Sequence, residues 1–196
     1  MFFFDPGIFD LKSNTYLDGF WQSPKYFNKI KNTILKDFSF QDNLPDALTT
    51  LANEIENSNS ICLHVRRGDY VSHPNANKFH GVKGIDYFDT AISLIAQTLT
   101  DIKIYVFSDD ITWCIQNLKL EFITTFVEYE YPHRKPNEYF RLMILCKHFI
   151  ISNSSFSWWA AWLNQDPQKI VIAPKKWFND PMIDTSDLIP DNWIAI

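Results

Sequence analysis

From residue 60 onward, short continuous apolar runs alternate with longer stretches in which apolar residues recur every three or four positions. Ile61-Cys62-Leu63-His64-Val65 is one such run and reads as a buried strand, and 102–107, 121–127, 149–151 and 170–172 are the next four. Between them, 86–99 carries Phe88, Ala91, Ile92, Ile95 and Leu99 on one helical face. Helices are also predicted over 137–147 and 154–163, with a short one after Ser108-Asp109-Asp110. Strands covered on both faces lose the polar alternation of half-exposed sheets. Such strands, separated by helices of about three turns, predict β-α-β units. The expected fold class is α/β, an open, doubly wound, mainly parallel sheet of about five strands. Ligands in such sheets bind outside the carboxyl ends of the strands.

The first 57 residues read as helical and loop-rich. A helix is predicted after Ser23-Pro24, with Ser23 as cap, Pro24 in the first turn, and Phe27, Ile30, Ile34 and Phe38 along one side. A second is predicted over 45–56, with Leu48, Leu51, Ala52 and Ile55 on one face, and Asn57-Ser58-Asn59-Ser60 reads as a loop. The expected division is therefore a segment 1–57 and a sheet domain 58–196.

Composition narrows the chemistry. Among 196 residues, 46% are hydrophobic and 21% charged, an ordinary globular balance. Only 5 glycines occur, and neither a P-loop nor a Gly-x-Gly-x-x-Gly pattern is present. A net charge of −5 leaves no general basic footprint, so no nucleic-acid partner is expected. Cys62, Cys114 and Cys146 fall within predicted strands or helices and read as buried reduced thiols. No run approaches the ~18 apolar residues of a membrane span. The opening Met1-Phe2-Phe3-Phe4-Asp5-Pro6 is too soon interrupted for a signal peptide. The expected location is cytoplasmic, with peripheral contact at the inner membrane left open.

Three polar motifs sit at the ends of predicted strands. His64-Val65-Arg66-Arg67-Gly68-Asp69-Tyr70 places two arginines there. Guanidinium forks suit phosphate oxygens, so a diphosphate clamp is one reading; a surface turn of solvated charges beside a core histidine is the other. Ser152-Asn153-Ser154-Ser155 opens a helix, where free N–H groups and hydroxyls favour phosphate, or where Asn153 or Ser154 merely caps and the tryptophans behind form core. Asn153-Ser154-Ser155 also spells a glycosylation acceptor, which a strand-to-helix junction disfavours. Ser108-Asp109-Asp110 offers carboxylates for a guanine edge, a ribose or a metal, or simple helix capping. Glu138 could reach the same edge or answer its helix dipole. His64, His73, His80, His133 and His148 show no metal spacing, and no metal site is expected.

These motifs resemble glycosyltransferase family 11, the α-1,2-fucosyltransferases. The arginine motif is similar to the family's donor signature, and Gly84-Ile85-Asp86-Tyr87-Phe88, Phe107-Ser108-Asp109-Asp110, Asn153-Ser154-Ser155-Phe156-Ser157-Trp158-Trp159 and Pro174-Lys175-Lys176-Trp177 follow in order. Upstream, Gly19-Phe20-Trp21-Gln22-Ser23-Pro24-Lys25-Tyr26-Phe27 fits as well. The resemblance implies two paired Rossmann-like halves (GT-B), of which 58–196 would be the half that binds GDP-fucose. It implies no cofactor beyond that donor, a galactose-terminated glycan as acceptor, and inversion at the anomeric carbon without a required metal. Carried over, Arg66 and Arg67 face the diphosphate, His64 and Asp69 support them, and Ser154 and Ser155 add donors; Asn153, Ser108 and Asp109 complete the expected site. The family's Gly-x-Gly-Asn-Gln-type loop has no counterpart here. The resemblance therefore implies an absent N-terminal half, a truncated product or a separately encoded partner, with segment 1–57 as remnant and connection.

In such a transfer Arg66 and Arg67 would neutralise the leaving diphosphate of an oxocarbenium-like transition state. A base must take the acceptor proton, and no residue is singled out for it beyond Asp69, which an arginine is expected to hold. Two rivals remain: a non-catalytic nucleotide-sugar-binding remnant, and an adhesion module displaying Arg67-Gly68-Asp69.

Overall fold

The computed structural model describes residues 3–128 and 136–196; His133 lies outside them. Six parallel strands form one sheet in the order β3-β2-β1-β4-β5-β6. They are β1 Asn59–Val65, β2 Ile102–Ser108, β3 Ile123–Val127, β4 His148–Ile150, β5 Val171–Ala173 and β6 Ile194–Ala195. The described helices are α1 Lys31–Asp37, α2 Asp46–Glu56, α3 Gly68–Ser72, α4 Pro74–His80, α5 Ile85–Ala96, α6 Ile111–Asn117, α7 Pro136–Leu145 and α8 Ser155–Leu163. This is a Rossmann-like α/β sheet, and its order reverses between β1 and β4, where such folds place their ligand. None of the described helices is long and apolar enough to cross a membrane.

The apolar runs predicted as strands are buried because successive side chains serve two cores. Ile61, Leu63 and Val65 of β1 pack with Ile104 and Val106 of β2 and with Phe88, Ile92 and Ile95 of α5. Cys62 and the intervening Tyr105 and Phe107 pack on the other face with Ile55 of α2, Leu142 of α7 and Trp158 of α8. Phe27, Leu48 and Ala52 belong to that same second core. No core boundary therefore falls at residue 57.

Three local expectations are corrected. The helix predicted after Ser23-Pro24 is broken into 3-10 turns at Pro24–Tyr26 and Asn28–Ile30 before α1 begins. Phe27 leaves helical dihedrals, at φ −132° and ψ 6°, with its ring 4.9 Å from Trp162 and 5.2 Å from Trp159. Burial of one aromatic residue outweighs the helical period here. Ser23 still caps the first turn, accepting from the Lys25 N–H. Asn59 and Ser60, read as loop, extend β1 by pairing with Ile102 and Lys103. Their polar side chains are met locally: Asn59 Nδ2 donates to Thr100 O at 2.8 Å, and Ser60 Oγ accepts from Lys147 N at 3.1 Å. The sheet also has a sixth strand, which two exposed residues are too few to announce.

Candidate functional site

The motifs at the ends of β1, β2 and β4 come from three neighbouring strands, with β1 in the middle. They surround a cleft of about 450 Å³. β1 and α3 contribute His64, Arg66 and Tyr70; β2 contributes Ser108 and Asp109. The start of α7 adds Pro136 and Tyr139, and the start of α8 adds Ser154, Ser155 and Phe156. A second groove of about 360 Å³, walled by Phe38, Phe140 and Trp159, adjoins it through Pro136, Ser155 and Phe156. A separate cavity of about 290 Å³ near Trp162 and Trp193 is lined by no residue of the three polar motifs. Its Lys25 is paired with Asp187, and its Lys169 is held by the carbonyls of Ala161 and Asn164.

The crevice opens because the β1–β4 ladder stops at the Leu63–Ile150 pair. Beyond it Ser152 takes over with its side chain. Its Oγ donates to His64 O at 2.8 Å and accepts from Arg66 N at 3.1 Å. On the other side, Arg67 N donates to Asp109 Oδ1 at 2.8 Å. The chain turns at Gly68 against that same carboxylate: a Cβ there would lie 2.5 Å from Asp109 Oδ2, so only glycine fits without displacing it.

The two arginines part company. Arg66 enters the cleft wall, with Nη2 2.6 Å from Asp69 Oδ1 and Nη1 2.8 Å from Asp109 Oδ2. Those bonds use two of the five N–H groups of a guanidinium. Arg67 turns the other way. Its Nε lies 3.2 Å from Asp110 Oδ2, and its Cζ sits 3.8 Å from the centre of the Trp113 ring. Arg67 and Asp69 do not line the cleft; both hold the loop that carries Arg66. Asp110 also caps α6, accepting from Trp113 N at 3.2 Å.

The N-terminal end of α8 opens onto the cleft. Ser154 is its N-cap residue and no side chain caps the helix. The first-turn N–H groups of a nine-residue helix therefore lack intrahelical partners beside a cleft lined by Ser154 and Ser155. His64 forms part of the same wall, 4% exposed, with Nδ1 buried and unpartnered. Burial, and then the charge of Arg66, lower its pKa from 6.5 to about 3, so the imidazole is neutral. Asn153 is fully buried and turned elsewhere: its Nδ2 donates to His80 O and Trp177 O, each at 2.9 Å. Glu138 lies in a different depression with Phe40 and Arg141.

Sequence reasoning gave no role to Ser152, Tyr70, Tyr139 or Phe156. Tyr139 pins the ends of β2 and β3, accepting from Ser108 N at 2.6 Å and donating to Val127 O at 3.3 Å. Ser152 and Tyr70 stood inside the quoted motifs, but a side chain replacing a ladder bond has no periodic signature.

The whole described sheet domain and its lead-in match one protein family, glycosyl transferase family 11, over residues 6–196. The chain belongs to glycosyl transferase family 11. It is 36% identical over 197 residues to the O-antigen biosynthesis glycosyltransferase WbnK of Escherichia coli, covering 95% of this chain and 62% of that protein. It is 35% identical over 187 residues to an alpha-1,2-colitosyltransferase of Escherichia coli, covering 95% of this chain and 64% of the relative. To galactoside alpha-(1,2)-fucosyltransferase 1 of Rattus norvegicus it is 26% identical over 155 residues, or 75% of this chain and 41% of that one. The chain thus spans less than two thirds of the length of these family 11 relatives.

Proposed function

We propose that this chain carries the donor site of a glycosyltransferase that moves L-fucose from GDP-fucose to the 2-hydroxyl of a terminal galactose, with inversion. The observation that carries the reading is the meeting of Arg66, the uncapped α8 N-terminus and the unpartnered His64 in one cleft at the strand-order reversal. A diphosphate there would accept from the remaining Arg66 N–H groups, from the α8 backbone and from the Ser154 and Ser155 hydroxyls. In the transfer, the bond from the anomeric carbon to the phosphate oxygen breaks and a bond to the acceptor oxygen forms. Charge grows on the leaving diphosphate, and fixed donors stabilise it more in the transition state than before. The acceptor proton goes to a base sought outside Asp69 and Asp109, since each already holds Arg66.

The test is calorimetric titration of the chain with GDP, GDP-fucose and UDP. GDP and GDP-fucose should bind, UDP weakly or not at all. Arg66→Ala should weaken GDP about tenfold, since charge-assisted hydrogen bonds contribute ~1.5–3 kcal/mol. Undiminished affinity in Arg66→Ala would remove the arginine from the site. Binding without transfer to any galactoside would leave a nucleotide-sugar-binding module in place of an enzyme. A second reading draws on the relative named for colitose: the donor sugar would be that sugar, and a transfer assay offering both GDP-sugars decides between them.

A further inference from the structure

Tyr70 stands where the parts of the cleft join. It lies in α3, is 8% exposed and lines the cleft. The Arg66 guanidinium carbon is 5.3 Å from its ring centre. The His80 imidazole stacks on the same ring at 4.4 Å with planes 4° apart. Burial lowers the pKa of His80, which favours its neutral form. The Tyr70 hydroxyl donates to Asn153 O at 3.2 Å, at the residue before the α8 cap. Burial raises the phenol pKa and keeps that hydroxyl a donor. Asn77 Nδ2 donates to Tyr70 O at 2.7 Å, which fixes the backbone from α4.

One side chain therefore touches the cleft arginine with its face and the turn into α8 with its tip. We propose that Tyr70 is a positioning residue that sets Arg66 and the α8 N-terminus at one spacing, so that both reach the same diphosphate. The inference rests on the donor-site reading above. A flexible arginine side chain loses rotamer freedom when it binds. An aromatic face beneath the guanidinium removes part of that freedom beforehand. The hydroxyl bond does the same for the backbone whose N–H groups follow.

A double-mutant cycle on GDP affinity tests this. Tyr70→Leu, which loses ring face and hydroxyl, should weaken GDP about tenfold. Tyr70→Phe, which keeps the ring, should recover most of that loss and remain within about threefold of the wild type. In an Arg66→Ala background, Tyr70→Leu should cost no more than the roughly threefold loss allowed for Tyr70→Phe, because the group its ring positions is gone. Equal losses in both backgrounds would mean that Tyr70 only supports the fold, and the inference would be overturned with the donor site intact. Absence of GDP binding by the wild type would overturn the donor-site reading and this inference together. Should Tyr70→Leu not fold by circular dichroism, the cycle runs with Arg66→Ala and Tyr70→Met, which also removes the ring face. Additive losses then overturn the inference, and non-additive losses support it.

Discussion

At the end of β1, Arg66 leaves 34% of its side chain exposed and Arg67 16%. The sequence presents them as an equivalent pair, and their partners make them different. Arg67 is stacked on Trp113 and paired with Asp110, so Arg67→Ala should lower unfolding free energy in urea by about 1–2 kcal/mol. Its GDP affinity should stay within about threefold of the wild type; a tenfold loss would place Arg67 on the phosphate after all. His64 yields a second residue-scale prediction. Its pKa is about 3 when folded against 6.5 for the free group, so between those values the unfolded chain holds more protons. Stability should be unaffected by this group above pH 6.5 and should fall as pH drops from 6.5 toward 3. His80 and His148, also lowered by burial, act with the same sign. His64→Gln should flatten the slope of unfolding free energy against pH in that window, and an unchanged slope would show that the histidine is not held neutral.

The turn from β4 into α8 was legible in sequence as polar residues opening a helix, but the division of labour within it was not. Ser152 continues the β1 pairing, Asn153 clasps two loops, and Ser154 and Ser155 reach the cleft. The loop carrying Gly81 approaches this clasp at φ 67°, a left-handed conformation that suits glycine. Asn153→Asp keeps the shape and replaces a donor by a carboxylate aimed at backbone carbonyls. It should cost about 2–4 kcal/mol of stability in chemical denaturation. A loss under about 0.5 kcal/mol would show that the amide bonds matter little. The same lesson holds at Phe27. Its spacing from Ile30 and Ile34 predicts one helix, yet the ring seats against Trp159 and Trp162 and the helix breaks. Periodicity records which face is apolar; it does not record a residue withdrawn from the period to fill a pocket on another element.

For the molecule as a whole, two cores share one sheet, and all three thiols lie inside them: Cys62, Cys114 and Cys146 are free and 0% exposed. Burial pushes the Cys114 thiol up to about 11 and raises that of Cys62 well above 9.0. A thiol reagent at neutral pH should therefore label none of them in the native protein and all three in denaturant. Rapid native labelling would mean that a core opens. The number of apolar runs, their separation by helices, and the placing of polar motifs at their ends were determined by the chain itself, because burial on both faces imposes a continuous apolar pattern on local sequence. The parallel order with its reversal between β1 and β4 decided which motifs became neighbours. Only the tertiary structure separated Arg66 from Arg67, left α8 uncapped beside His64, and brought Tyr70 to Asn153, 83 positions away in the chain. Contacts across such distances depend on how strands pair and helices pack, and no local pattern of residues encodes them.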